Sequence, residues 1–123
     1  MAMQKAHEVL RTRFNFPSFR SGQREAIEKL LCPPESQPAR VVAVFPTGAG
    51  KSLVYQIPSL CFDDGITLVV SPLLALMRDQ TTALIAKGIP AASLDSTLDA
   101  QETRDLFDAV AAGEVRLLYV APE

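Results

Sequence analysis

No apolar run in the sequence approaches the roughly 20 residues that a membrane span requires, because charge interrupts every hydrophobic stretch well before that length. No transmembrane helix is expected, and no membrane is expected among the partners. The opening residues set Lys5, Glu8, Arg11 and Arg13 among apolar neighbours, so they lack the uninterrupted apolar centre of a secretory signal. Cysteine is scarce. Cys32 and Cys61 have no partners at metal-ligand spacing and are expected as small buried side chains in a reducing compartment. His7 is the single histidine, and with no ligand partner in reach along the chain it reads as a surface residue. A basic excess is missing too: 12 Lys and Arg stand against 14 Asp and Glu, for a net charge of -2. General attraction to phosphate backbones is therefore absent, and any nucleic-acid contact must be local, made by backbone amides and a few placed side chains. There is no internal repeat and no low-complexity tract. The 9 prolines and 6 glycines are spread as punctuation between apolar runs.

What is present is a pattern. The 123 residues are 48% hydrophobic, ample for the core of one small domain. From residue 41 onward, short β-branched runs at 41–45, 67–70, 91–94 and 117–120 alternate with segments of helical period at 51–61, 73–87 and 101–112. That alternation predicts an α/β fold, a parallel sheet with crossover helices. The runs at 41–45 and 67–70 are nearly continuous in apolar character, as strands covered on both faces should be. The second of these helices is expected to place Leu73, Leu76, Met77, Leu84 and Ile85 along one side, with Gly88 ending it. Two more helices are predicted ahead of the sheet, at 4–14 and 22–31, the latter with Ser21 as its cap, and Pro33, Pro34 and Pro38 close that prelude. Only three residues follow the buried-looking run at 117–120, and with a mean hydropathy of +0.15 the chain is expected to be a piece of a larger protein.

The stretch PTGAGKS at 46–52 lies between a predicted strand and a predicted helix, where a phosphate cradle belongs. Gly48 and Gly50 let backbone N–H groups turn inward, and a following helix adds its positive end. Thr47, Gly48, Ala49, Gly50 and Lys51 are the expected phosphate-binding residues, with Lys51 neutralising the outer phosphates. Ser52 has the hydroxyl that in such loops joins the coordination sphere of Mg²⁺. The strict eight-residue signature is not fully met, because Phe45 occupies its first glycine position. A Gly-rich turn that binds nothing is the competing reading.

Four blocks in order, FNFPSFRSGQREAI at 14–27, FPTGAGKSLVYQIPSL at 45–60, VVSPLLALMRDQ at 69–80 and RLLYVAPE at 116–123, resemble RecQ-like ATP-dependent DNA helicases along almost the whole chain. The resemblance implies a RecA-like P-loop NTPase fold. Residues 1–123 would be the N-terminal portion of a helicase ATP-binding domain, with 1–39 a helical adenine-recognition prelude and 40–123 the P-loop sheet region, incomplete at its C-terminus. The first block looks like the family's adenine-recognition segment. Arg20 and Gln23, three apart at a helix start, can project toward one ligand; a glutamine amide both donates and accepts, and Phe16 offers a ring on which a base can stack. Phe16 stands where the family usually has tyrosine, and Asn15 where it usually has glycine. The competing reading is that Phe14, Phe16 and Phe19 pack and Arg20 is solvated.

The third block resembles the family's motif Ia, which implies strand contacts from Ser71, Pro72 and Leu73; the hydroxyl of Thr97 can also reach phosphates. Arg78, Asp79 and Gln80 fit a polar helix surface as well as a nucleic-acid role. By resemblance the parent protein couples ATP hydrolysis, with Mg²⁺ as cofactor, to 3′ to 5′ movement along single-stranded or partly duplex DNA, in repair and recombination. It would act inside the cell, in the nucleus of a eukaryote or the cytoplasm of a bacterium. Lys51 is the expected catalytic residue of this portion. The acidic Mg²⁺-holding box and a second RecA-like domain would lie in the rest of the motor, so hydrolysis by residues 1–123 alone is expected near background. Three alternatives stay open: a motor acting on RNA, a small P-loop kinase or nucleotide switch, and an interaction module that binds a partner along its sheet edge.

Overall fold

The computed structural model describes residues 2–33, 38–44, 51–62 and 65–121. It contains α1 (Ala2–Phe14), α2 (Gln23–Leu31), α3 (Leu53–Cys61), β1 (Thr67–Val70), α4 (Leu74–Ala86), β2 (Ala91–Leu94), α5 (Ala100–Ala111) and β3 (Leu117–Val120). The chain forms two compact units, Met1–Asp63 and Asp64–Glu123.

In the first unit, α3 packs on both α1 and α2. Ala6, Val9, Leu10 and Phe14 recur at helical spacing on α1 and are buried, as are Ala26 and Ile27 of α2 and Leu53, Val54 and Ile57 of α3. Helix α1 stops at Asn15, whose φ of 62° is left-handed, and the Phe16 N–H donates back to the Leu10 carbonyl at 3.2 Å. Asparagine is one of the few side chains that tolerates that region, so it can stand where a glycine is usual. Pro58 sits inside α3 and removes one helical donor.

Three sequence-based expectations fail in this unit. Residues 41–44 form no strand; Val42 is 92% and Val44 87% exposed, and the segment lines an open groove with Gly22, Ala26 and Lys29. An apolar run measures a segment's tendency to be buried, but a strand also needs hydrogen-bonding neighbours, and this unit has no other strand among its described residues. Ser21 is not the cap of α2: that place falls to Gly22, at a φ of 88°, without a side-chain hydrogen bond. Cys32 is exposed, because it lies just past the end of α2, whereas Cys61 is half-buried. Burial raises the Cys61 thiol above its ordinary pKa, with Lys5 pulling weakly the other way.

The second unit is a parallel sheet in the order β1-β3-β2, with Leu117 to Val120 in register with Thr67 to Val70 on one side and Ala91 to Leu94 on the other. The α/β reading holds, and all three of these strands fall where the sequence placed them. Central β3 buries Leu117, Leu118 and Tyr119. Parallel neighbours need crossovers, supplied by α4, which packs on β2 and β3, and by α5, which packs on β2. Helix α4 ends as expected at Gly88, with φ 76°. Gly88 N–H donates to Ile85 and Ile89 N–H to Leu84, the paired bonds of a Schellman close, and buried Ile89 completes it. The buried stripe of α4 is narrower than the expected five-residue side. Met77, Thr81 and Leu84 are buried, while Leu73, Leu76 and Ile85 are exposed. At 3.6 residues per turn, Met77, Thr81 and Leu84 span roughly 60° and Leu76 lies roughly 100° away from Met77. Thr81 belongs in the stripe because its hydroxyl donates to the Met77 carbonyl at 2.7 Å.

Candidate nucleotide and nucleic-acid site

Two groups of side chains are built by these elements. In the first unit, the segment between α1 and α2 presents Phe16, 43% exposed, and an exposed Arg20. Gln23 is 2% exposed, and its Oε1 accepts the backbone N–H of Arg20 at 2.8 Å. The glutamine thus fixes the turn that carries Arg20. Phe19 meets His7 of α1 with ring centroids 4.8 Å apart, so His7 is half-buried against an aromatic ring instead of lying free on the surface.

Thr47, Gly48, Ala49 and Gly50 lie outside the described residues. Lys51 and Ser52 form the turn that opens α3: the Lys51 carbonyl accepts from Val54 N–H at 3.1 Å and the Ser52 carbonyl from Gln56 N–H at 3.0 Å. Lys51 is exposed. Ser52 occupies the cap position but makes no side-chain capping bond, which keeps its hydroxyl from the role a capping serine ordinarily plays. The donor set, a hydroxyl and an ammonium at the positive end of a helix, fits an Mg²⁺-bound triphosphate.

In the second unit, the carboxyl ends of the parallel strands share one edge, the usual place for ligands in an open α/β sheet. Ser71 follows β1 and donates its N–H to Val120 at 3.0 Å; Ala121 follows β3 and donates to Leu94 at 3.2 Å. The Ser71 Oγ accepts the Leu73 N–H at 3.3 Å, which shapes the exposed Pro72–Leu73 turn. Beyond β2, Asp95 is 8% exposed, and its Oδ1 accepts the Thr97 N–H at 2.8 Å and the Thr97 hydroxyl. The Arg78 Nη2 donates to Thr97 Oγ1 at 3.0 Å. The Asp95 carboxyl is held below its ordinary pKa, first by the Thr97 hydroxyl, then by the Thr97 N–H, with Arg78 adding to both against the cost of burial. Ser71 and Thr97, singled out by their hydroxyls, therefore stand on the same sheet edge. Asp95 had no signal of its own in the sequence, and Arg78 had only the general one of a polar helix face; what joins them spans 19 positions.

Among the described residues no helix is long and apolar enough to cross a membrane, and no cluster of His, Cys, Asp and Glu could hold a metal ion. Residues 20–123 match the model of the DEAD/DEAH box helicase family. The chain is 47% identical over 118 residues to the ATP-dependent DNA helicase RecQ of Haemophilus influenzae, covering 96% of this chain and 18% of that protein. It is 44% identical over 120 residues to the protein of the same name from Pasteurella multocida, covering 98% and 18%. The RecQ of Bacillus subtilis is 41% identical over 121 residues, covering 98% and 20%. The chain thus spans about a fifth of the length of these relatives. With the family model matched from Arg20 onward and RecQ similarity along nearly every residue, the chain belongs to the DEAD/DEAH box helicases.

Proposed function

We propose that this chain is the nucleotide-binding portion of an ATP-dependent DNA helicase that moves 3′ to 5′ along single-stranded DNA, acting in repair and recombination inside the cell. The observation that carries it is the placement of Lys51 and Ser52, the last two residues of PTGAGKS, in the turn that opens α3, in a chain matched to helicases from residue 20. Phe16 stacks the adenine, and Arg20, set by Gln23, contacts the nucleotide beside it. The backbone of Thr47, Gly48, Ala49 and Gly50 holds the phosphates, with Lys51 against the outer charge. Ser52 would hold Mg²⁺, which when bound would neutralise phosphate charge. On the second unit, Ser71, Pro72, Leu73 and Thr97 face the DNA strand. A second RecA-like domain in the rest of the motor completes hydrolysis.

Lys51→Ala tests the nucleotide half. Lys51 is exposed and contributes to no core, so the variant should keep its circular dichroism and melting temperature. Its affinity for ATP with Mg²⁺, measured by calorimetry, should fall about tenfold or more, the scale of a lost charge-assisted contact. Equal affinities in native and variant chains would remove Lys51 from the site.

A further inference from the structure

We propose that Asp95 and Thr97 are positioning residues that aim the Arg78 guanidinium at a backbone phosphate of a strand lying across the carboxyl ends of β1, β3 and β2. This rests on the strand-binding half of the function proposed above and changes the role of Thr97 within it.

The supply of protons decides which of these groups can donate to a phosphate. A threonine hydroxyl has a single proton and two lone pairs. In Thr97 that proton goes to Asp95 Oδ1, and a lone pair accepts from Arg78. The oxygens of a phosphodiester only accept, so Thr97 has no proton to offer them in this arrangement. Arg78 does: its planar fork carries five N–H donors, and one serves Thr97. An ordinary turn at 95–97 needs only an acceptor for the Thr97 N–H, and any Asx side chain would supply it. The buried carboxylate goes further. Kept charged by its surroundings, it fixes which way the hydroxyl points and so where the guanidinium is held.

Position supports the same reading. Ser71 and Asp95 directly follow the outer strands of the three, on either side of β3, about 10 Å apart at the usual strand spacing. Ser71 Oγ accepts from Leu73 N–H, and a hydroxyl used only as acceptor retains its proton for a phosphate. Arg78, Lys87, Arg104 and Arg116 are the basic residues of this unit, and Asp and Glu outnumber them. Lys87 ends α4 and Arg116 precedes β3, both toward the amino ends of the strands, while Arg104 lies on α5 and donates to Gln101. Arg78 is the cation that is bonded to Thr97 at the carboxyl edge.

The test is a double-mutant cycle on the full chain, read by fluorescence anisotropy of a labelled oligodeoxythymidine across a salt series. Arg78→Ala should weaken binding about tenfold and reduce the slope of log affinity against log salt by about 0.7, one phosphate of a single strand. Thr97→Val should weaken binding about fivefold in the native background and hardly at all once Arg78 is alanine, since both changes remove one contact. Thr97→Ser, which restores the hydroxyl, should bind as the native chain does. Thr97→Val takes one hydrogen bond from the Asp95 carboxylate, so it should melt somewhat below the native chain at pH 7, and circular dichroism at the assay temperature should show every variant folded. Additive losses from Arg78→Ala and Thr97→Val, or an unchanged salt slope in Arg78→Ala, would overturn the positioning role while leaving strand binding intact. A native chain with no salt-dependent affinity for the oligonucleotide would overturn the strand-binding reading and this inference together.

Discussion

A carboxylate taken out of water must be repaid by hydrogen bonds to its charged form, and Asp95 is the charged side chain that the described residues bury. Thr97 supplies two of those bonds. Because they stabilise the charged form, the folded pKa of Asp95 lies below its unfolded value. The sign follows directly: the contribution to stability is present above the unfolded carboxylate range, near pH 4, and is lost as pH falls through the lower folded value. Asp95→Asn should therefore melt below the native chain at pH 7, and the gap should narrow as the pH is taken below about 4. Thermal melts at neutral and acid pH check this; a gap that widens in acid would mean that Asp95 is not held charged. None of this was legible in the sequence. Thr97 stood out by its hydroxyl, yet the group that takes its proton sits two residues back and the group that uses its lone pair lies on another element. Arg20 and Gln23 were better served, since a spacing of three at a helix start is local. Even there the sequence could not show that Gln23 is buried and bonded to the backbone of Arg20.

At the scale of elements, caps separate the helices that local sequence determines from those that depend on their surroundings. Helix α5 begins with a complete capping box: Asp99 Oδ1 accepts the Glu102 N–H at 2.7 Å, and Glu102 Oε1 accepts the Asp99 N–H at 3.2 Å. It buries none of its own residues, so its stability rests heavily on those end contacts. Asp99→Ala should cost about 1 kcal/mol in urea unfolding. Ser21→Ala, at the position first expected to cap α2, should change stability by less than about 0.5 kcal/mol, because Gly22 holds that place without a side-chain bond. A loss at Ser21 equal to that at Asp99 would contradict both assignments. The strands at 67–70, 91–94 and 117–120 were readable because each is short, apolar and bounded by turn residues. The run at 41–45 had the same local signal. Its described part pairs with nothing in its unit, since composition does not say whether a neighbour is at hand. In α4, Thr81 escaped the pattern because a polar letter breaks an apolar stripe, although its hydroxyl is satisfied within the helix.

At the scale of the whole molecule, the two proposed ligands fall on different units. Phe16, Arg20, Gln23, Lys51 and Ser52 all belong to Met1–Asp63, whereas Ser71, Pro72, Leu73, Arg78 and Thr97 belong to Asp64–Glu123. A ligand that binds only the folded form of a unit suppresses its opening by a factor of one plus its concentration over its dissociation constant, about 100-fold at 100 times that constant. Amide exchange reads such openings residue by residue. ATP with Mg²⁺ should therefore slow exchange first at the start of α3, where Val54 and Gln56 donate to Lys51 and Ser52, and at the Arg20–Gln23 turn. An oligodeoxythymidine should slow it first at Leu73 and Thr97, whose N–H groups donate to Ser71 Oγ and Asp95 Oδ1. If each ligand alters the affinity for the other, linkage requires the factor to be the same in both directions, so two titrations suffice to measure how far the units communicate. ATP-induced slowing confined to the 71–98 region would place the nucleotide on the second unit and end this division of labour between the units. Slowing at Val54 and Gln56 that disappears in Lys51→Ala would tie the effect to the phosphates themselves.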